Sequence, residues 1–107
     1  MGEITVEELM QLLSKEGEIF LLLDVREPFE YRISNLGGTL IPLGQLPARI
    51  TEIEDYRDKA VIVMCRSGAR SAEGCRYLEQ RGFTKTRNLL GGINEWARKI
   101  DPGLPIY

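Results

Sequence analysis

The chain of 107 residues contains no histidine, which removes the commonest metal ligand and the commonest general base near neutral pH. Cysteine is scarce as well, with two residues, Cys65 and Cys75. A zinc site would need both thiols plus carboxylates in an atypical set, and a cysteine–histidine pair cannot form within the chain. No metal is therefore expected. Two cysteines in a reducing compartment also argue against a structural disulfide. No apolar run approaches the roughly 20 residues needed to cross a bilayer. Met1-Gly2-Glu3-Ile4-Thr5 lacks the layout of a signal peptide, and Val6 stands where a myristoylation motif would place serine or threonine. A cytoplasmic protein is expected. The 14 basic and 16 acidic side chains form no basic block, so neither nucleic acid nor a membrane surface is expected as the main partner. A small anion or a protein is.

What is present suits one domain over 1–107, long enough to bury a core without staples. Glu3-Ile4 reads as a short strand, and Thr5 followed by Glu8 reads as a capping box opening a helix to about Lys15, with Leu9, Leu12 and Leu13 inward. The stretch Ile19 to Val25 is nearly all apolar, the mark of a strand covered on both faces and hence of a parallel sheet. Glu27 to Tyr31 reads as a short helix, Leu36-Gly37-Gly38 as a turn, Thr39 to Ile41 as a brief strand, and Gln45 to Ile53 as a helix. Ala60 to Met64 is the central strand, Ala72 to Gln80 an amphipathic helix closed by Gly82, and Thr86 to Leu89 the last strand. Gly91-Gly92 opens a final helix to about Lys99. This alternation predicts an α/β fold with helices on both faces of one sheet, whose ligands sit at the C-terminal strand ends where Asp24 and Cys65 fall.

The run Cys65-Arg66-Ser67-Gly68-Ala69-Arg70-Ser71 lies at the strand-to-helix turn. Its residues are small or polar and Gly68 can take positive φ, so successive amides can curl around one point at a helix N-terminus. Such a nest, with Arg66 and Arg70 nearby, lowers a thiol pKa from about 8.5 and raises the thiolate fraction. The plainer reading is a buried cysteine that ends a core strand. It leaves the two arginines and the glycine turn unexplained. Without histidine, any chemistry at Cys65 rests on a thiolate made by its electrostatic surroundings.

Three blocks in order, Asp24-Val25-Arg26-Glu27-Pro28-Phe29-Glu30-Tyr31, the cysteine loop and Gly91-Gly92-Ile93-Asn94-Glu95-Trp96, resemble a rhodanese-type sulfurtransferase domain over nearly the whole chain. The resemblance implies a single rhodanese-like domain with a mainly parallel five-stranded sheet, Cys65 as the catalytic residue, and a covalent cysteine persulfide with no cofactor. The loop Arg66, Ser67, Gly68, Ala69 and Arg70 would then hold the sulfur through inward amides. It further implies a small anionic donor such as thiosulfate, or a protein persulfide as presented by a cysteine desulfurase. Ile33 to Leu43 and Asp101 to Tyr107 resemble the rhodanese domains fused to adenylyltransferases, which implies a ubiquitin-like sulfur-carrier protein as acceptor. Asn35-Leu36-Gly37 departs from the Gly-His-Ile-type segment of many rhodaneses.

Other readings compete. A cysteine-dependent phosphatase or arsenate reductase resembles a pattern with five residues between cysteine and arginine, whereas Arg66 to Ala69 makes four, a tighter ring suited to one sulfur atom. A non-catalytic interaction module of the same fold would not need the intact loop. Asp24 and Arg26 fit either a rim of the site or a structural tie, the commoner use of such a pair, with Arg70 holding Asp24 or substrate. Cys75 shares a helical face with Ala72 and Leu78 and reads as an inert core thiol. Trp96, Phe83 and Tyr31 read as core aromatics.

Overall fold

The structure, a computed structural model, describes residues 1–107. Five strands, β1 (Gly2–Ile4), β2 (Phe20–Asp24), β3 (Thr39–Leu40), β4 (Ala60–Met64) and β5 (Lys85–Leu89), form one sheet in the order β1-β5-β4-β2-β3. Every pairing is parallel. The apolar runs in β2 and β4 dictate this centre, because only strands buried on both faces tolerate apolar side chains pointing both ways. Leu21, Leu23, Val61, Val63 and Cys65 share one core with Leu46, Cys75, Leu78 and Phe83. Leu22, Ile62 and Met64 share the other with Leu9, Ile93 and Trp96. Helices α1 (Val6–Ser14) and α5 (Gly92–Lys99) supply the second face, and α3 (Leu46–Arg49) and α4 (Ala69–Gln80) the first. The short α2 (Pro28–Ile33) follows β2.

Local signals act as expected at α1, where the Thr5 hydroxyl accepts from the Glu8 amide at 3.1 Å and the Glu8 carboxylate accepts from the Thr5 amide at 2.9 Å. Leu13, however, is 44% exposed and Ile19 66%, so neither belongs to the core. The expected helix from Gln45 to Ile53 is broken. A 3-10 turn (Leu43–Gln45) leads into α3, and a second 3-10 stretch (Ile50–Tyr56) follows, with Ile53 at φ −117°. Pro47 has no N–H to bond back toward Leu43, so the ladder cannot run on from the first 3-10 turn and α3 begins with Pro47 in its first turn; the break at Ile53 is a non-helical φ/ψ of its own. Leu46 and Ile53 still reach the core from these separate pieces.

β2 and β4 run in register, with Asp24 opposite Met64, so their C-terminal ends are level. That shared edge places Asp24 and Cys65 side by side at the end of the sheet where parallel strands present ligands.

Candidate active site

Cys65 follows β4 directly, and α5 decides which way the chain turns there. The amides of Ile93 and Asn94 donate to the carbonyl oxygens of Cys65 and Arg66 at 3.0 and 3.2 Å. Gly92 permits the approach: its φ is +62°, and a Cβ there would overlap the Arg66 carbonyl and lie 2.5 Å from that of Cys65. With two carbonyls drawn toward α5, the amides that follow are left to face the sulfur. Gly68, at φ +115°, closes the turn as the N-cap of α4. The amides of Gly68 and Ser71 donate to Cys65 Sγ at 3.1 and 3.4 Å.

The helix starts at Ala69, three residues before the expected Ala72, because Gly68 already supplies the capping conformation. Inward amides were expected from the whole run 66–70; within it Gly68 donates to Sγ and the Ser67 amide also acts on the thiol, and Ser71, just beyond the run, donates as well. The Ser71 hydroxyl lies 3.3 Å from Sγ and donates to Asn88 Oδ1 at 2.5 Å, while Asn88 Nδ2 donates to the Gly68 carbonyl at 3.2 Å. Asn88 on β5 thus ties the middle of the loop, at Gly68, to its end at Ser71.

Burial pushes the Cys65 thiol up, but the Ser71 hydroxyl and the amides of Ser71, Gly68 and Ser67 outweigh it and leave the pKa below its ordinary value. The residue is 1% exposed. Cys75 is the counterexample on the same core: burial pushes it to about 11, the state of an inert thiol.

The two loop arginines have different fates. Arg70 donates from both terminal nitrogens to Glu30, at 2.6 and 2.8 Å, and makes no hydrogen bond to Asp24. That carboxylate also accepts from the Glu27 amide at 3.0 Å and from the Tyr107 hydroxyl at 2.9 Å. Arg70, first among these partners, holds Glu30 at about 2 despite its burial. Arg66 has no acidic partner, and its guanidinium lies 5.0 Å from the centroid of the Tyr107 ring.

Asp24 and Arg26, expected as a rim or a support, form a buried hydrogen-bonded tie. Both are fully buried. Arg26 donates to Asp24 at 2.7–3.2 Å, to the carbonyls of Ser34 and Glu30 at 2.8 and 3.3 Å, and to the Tyr107 hydroxyl at 2.8 Å. A buried guanidinium with its hydrogens placed in this way locks the end of β2 to the middle and the C-terminal end of α2. Phe83 and Trp96 are core residues as expected, whereas Tyr31 is half-buried and donates to the Gly38 carbonyl at 2.9 Å.

Sequence reasoning missed Glu30, Asn88, Asn94 and Tyr107 as parts of the site and stopped the loop one residue short of Ser71. The 40 and 77 residues that separate Glu30 from Arg70 and Tyr107 leave no local signal. Gly68, whose positive φ was expected from the turn, is the residue that sequence placed best.

Fold and loop together define an α/β domain that carries a thiol held by backbone amides between a parallel strand and a helix. The chain belongs to the rhodanese-like domain family, whose sequence profile matches residues 5–99. It is 42% identical over 107 residues to a sulfurtransferase of Allochromatium vinosum, a match that covers 99% of this chain and 94% of that protein. It is 33% identical to the Zea mays adenylyltransferase and sulfurtransferase MOCS3-1 over 112 residues, 99% of this chain but 24% of the maize protein. A rhodanese-like domain protein from Staphylococcus aureus superposes with a TM-score of 0.79 at 29% identity, over 100% of this chain and 99% of that one. These kinships support sulfur transfer of the rhodanese type. No helix is long and apolar enough to cross a membrane.

Proposed function

We propose that the protein takes a sulfane sulfur onto Cys65 as a persulfide and passes it to a nucleophilic acceptor. With thiosulfate as donor, the Cys65 thiolate attacks the outer sulfur, the sulfur–sulfur bond of the donor breaks, and sulfite leaves with the electron pair. An acceptor nucleophile then attacks the outer sulfur of the persulfide and returns Cys65 as thiolate. The lowered pKa of Cys65 favours its thiolate without a histidine base, which the chain does not contain. No cofactor enters either step.

The observation that carries this reading is the ring itself, in which two amides and a hydroxyl converge on one sulfur. The amides of Ala69 and Arg70, in the first turn of α4, have no acceptor in the chain and are left for a second sulfur atom. A residue 1% exposed also favours a slim donor over a phosphorylated side chain. The kinship with adenylyltransferase/sulfurtransferases favours a small sulfur-carrier protein as acceptor. A protein persulfide, presented by a cysteine desulfurase in the cytoplasm, is the alternative donor to thiosulfate in this reading.

The test is mass spectrometry of the pure protein after thiosulfate treatment. Cys65 gains one sulfur, which cyanide removes; Cys65→Ala loses the adduct and Cys75→Ala keeps it. Phosphatase turnover with no persulfide overturns the proposal.

A further inference from the structure

Tyr107 meets three of the charged groups around the cysteine loop, Arg26, Glu30 and Arg66, yet the chemistry above makes no use of it. Its hydroxyl accepts from Arg26 at 2.8 Å and donates to Glu30 at 2.9 Å. Its backbone is fixed by Asn94, whose Nδ2 donates to the Tyr107 carbonyl at 3.2 Å and whose Oδ1 accepts the Tyr107 amide at 3.4 Å. The ring, anchored at both ends, packs against the core that contains Ile93 and Trp96 and presents a π-face to Arg66 at 5.0 Å. Charge bookkeeping makes that contact matter. Arg26 is cancelled by Asp24 and Arg70 by Glu30, so Arg66 is the cation of the loop that retains its field. A long exposed arginine with no partner would spread over many rotamers. An aromatic face within about 6 Å biases it by about 0.5–1 kcal/mol at an exposed site.

We propose that Tyr107 is a positioning residue for anionic sulfur donors, acting by stacking Arg66 at the rim of the Cys65 loop. The inference rests on Cys65 as the reactive thiol, and it deepens that reading by assigning donor selection to an aromatic residue 41 positions away from the arginine it holds.

The test separates field from chemistry by alkylating Cys65 with anionic iodoacetate and neutral iodoacetamide, followed by peptide mass spectrometry. The ratio of the two rates reports the local positive field and does not depend on sulfur transfer, so a failed sulfurtransferase reading leaves this result intact. Arg66→Ala lowers the ratio and sets the floor. Tyr107→Leu and Tyr107→Met both remove the π-face and keep apolar bulk, so one that fails to fold leaves the other to decide. Each lowers the ratio about 2–5-fold, while Tyr107→Phe, which loses only the hydroxyl, retains it. In an Arg66→Ala background neither change lowers the ratio further. An unchanged ratio without the ring, or an equal drop when Arg66 is already absent, overturns the proposal. With thiosulfate as substrate the same variants raise KM with little change in kcat.

Discussion

Ser71 has one hydroxyl proton and three acceptors in reach: Asn88 Oδ1 at 2.5 Å, the Gly68 carbonyl at 3.1 Å and Cys65 Sγ at 3.3 Å. Beside a neutral thiol, Asn88 takes the proton. A thiolate competes with full charge and turns the hydroxyl toward the sulfur. Removing that donor in Ser71→Ala raises the Cys65 pKa, because the hydroxyl is the leading influence that opposes burial. A hydrogen bond to a charged group is worth about 1.5–3 kcal/mol, so alkylation near pH 7 slows by about 10-fold or more while the rate at high pH is preserved. The pH profile of iodoacetamide labelling checks this, and an unmoved midpoint means that the amides suffice. Cys65, Gly68 and the arginines were legible in the sequence because one short run contains them. Asn88 was not, since it lies 17 residues from Ser71 and looked like any residue of a half-buried strand.

At the level of elements, Glu30 and Arg70 join α2 to α4 across the mouth of the loop. Glu30 titrates at about 2 in the folded protein against an ordinary 4.5, so its contribution to stability is complete above pH about 4.5 and disappears as pH falls toward 2. With Arg70 36% exposed, solvent screening leaves a contribution on the order of 2 kcal/mol. Glu30→Gln is therefore less stable than the parent by about that amount at pH 7, and the gap in urea midpoints narrows between pH 4.5 and 2. A constant gap contradicts the pair's role. Gly92→Ala is harsher. It places a methyl against two carbonyls at positive φ, so it displaces α5 from the loop and lowers stability by about 2 kcal/mol or more, seen in thermal denaturation together with slower Cys65 labelling. Element type was readable wherever one signal ruled, as in the Thr5 capping box and the apolar strands. It failed at 45–53, where apolar spacing was helical but the chain divides into short pieces, with Pro47 in the first turn of α3 and Ile53 at non-helical φ/ψ.

Across the whole molecule the sheet separates two cores that share its central strands. Leu23→Ala opens a cavity in the core that holds Cys65 and costs about 2–5 kcal/mol. The single tryptophan, Trp96, reports the opposite core, so its fluorescence and the far-UV signal should fall together in that variant, as one cooperative unit requires. An earlier loss of ellipticity with Trp96 unchanged would show that the faces melt separately. The parallel sheet was legible from the apolar run of β2; the strand order was not, because nothing local in Glu3-Ile4 says that it docks on β5. That pairing, Ile4 with Leu89, has a consequence for biosynthesis. A ribosome delivers β1 first and its neighbour only after most of the chain has emerged, and Asn88, Gly92 and Tyr107 all arrive after Cys65. The nascent thiol is thus made without the residues that shape its loop, and it acquires its reactivity only when the sheet closes.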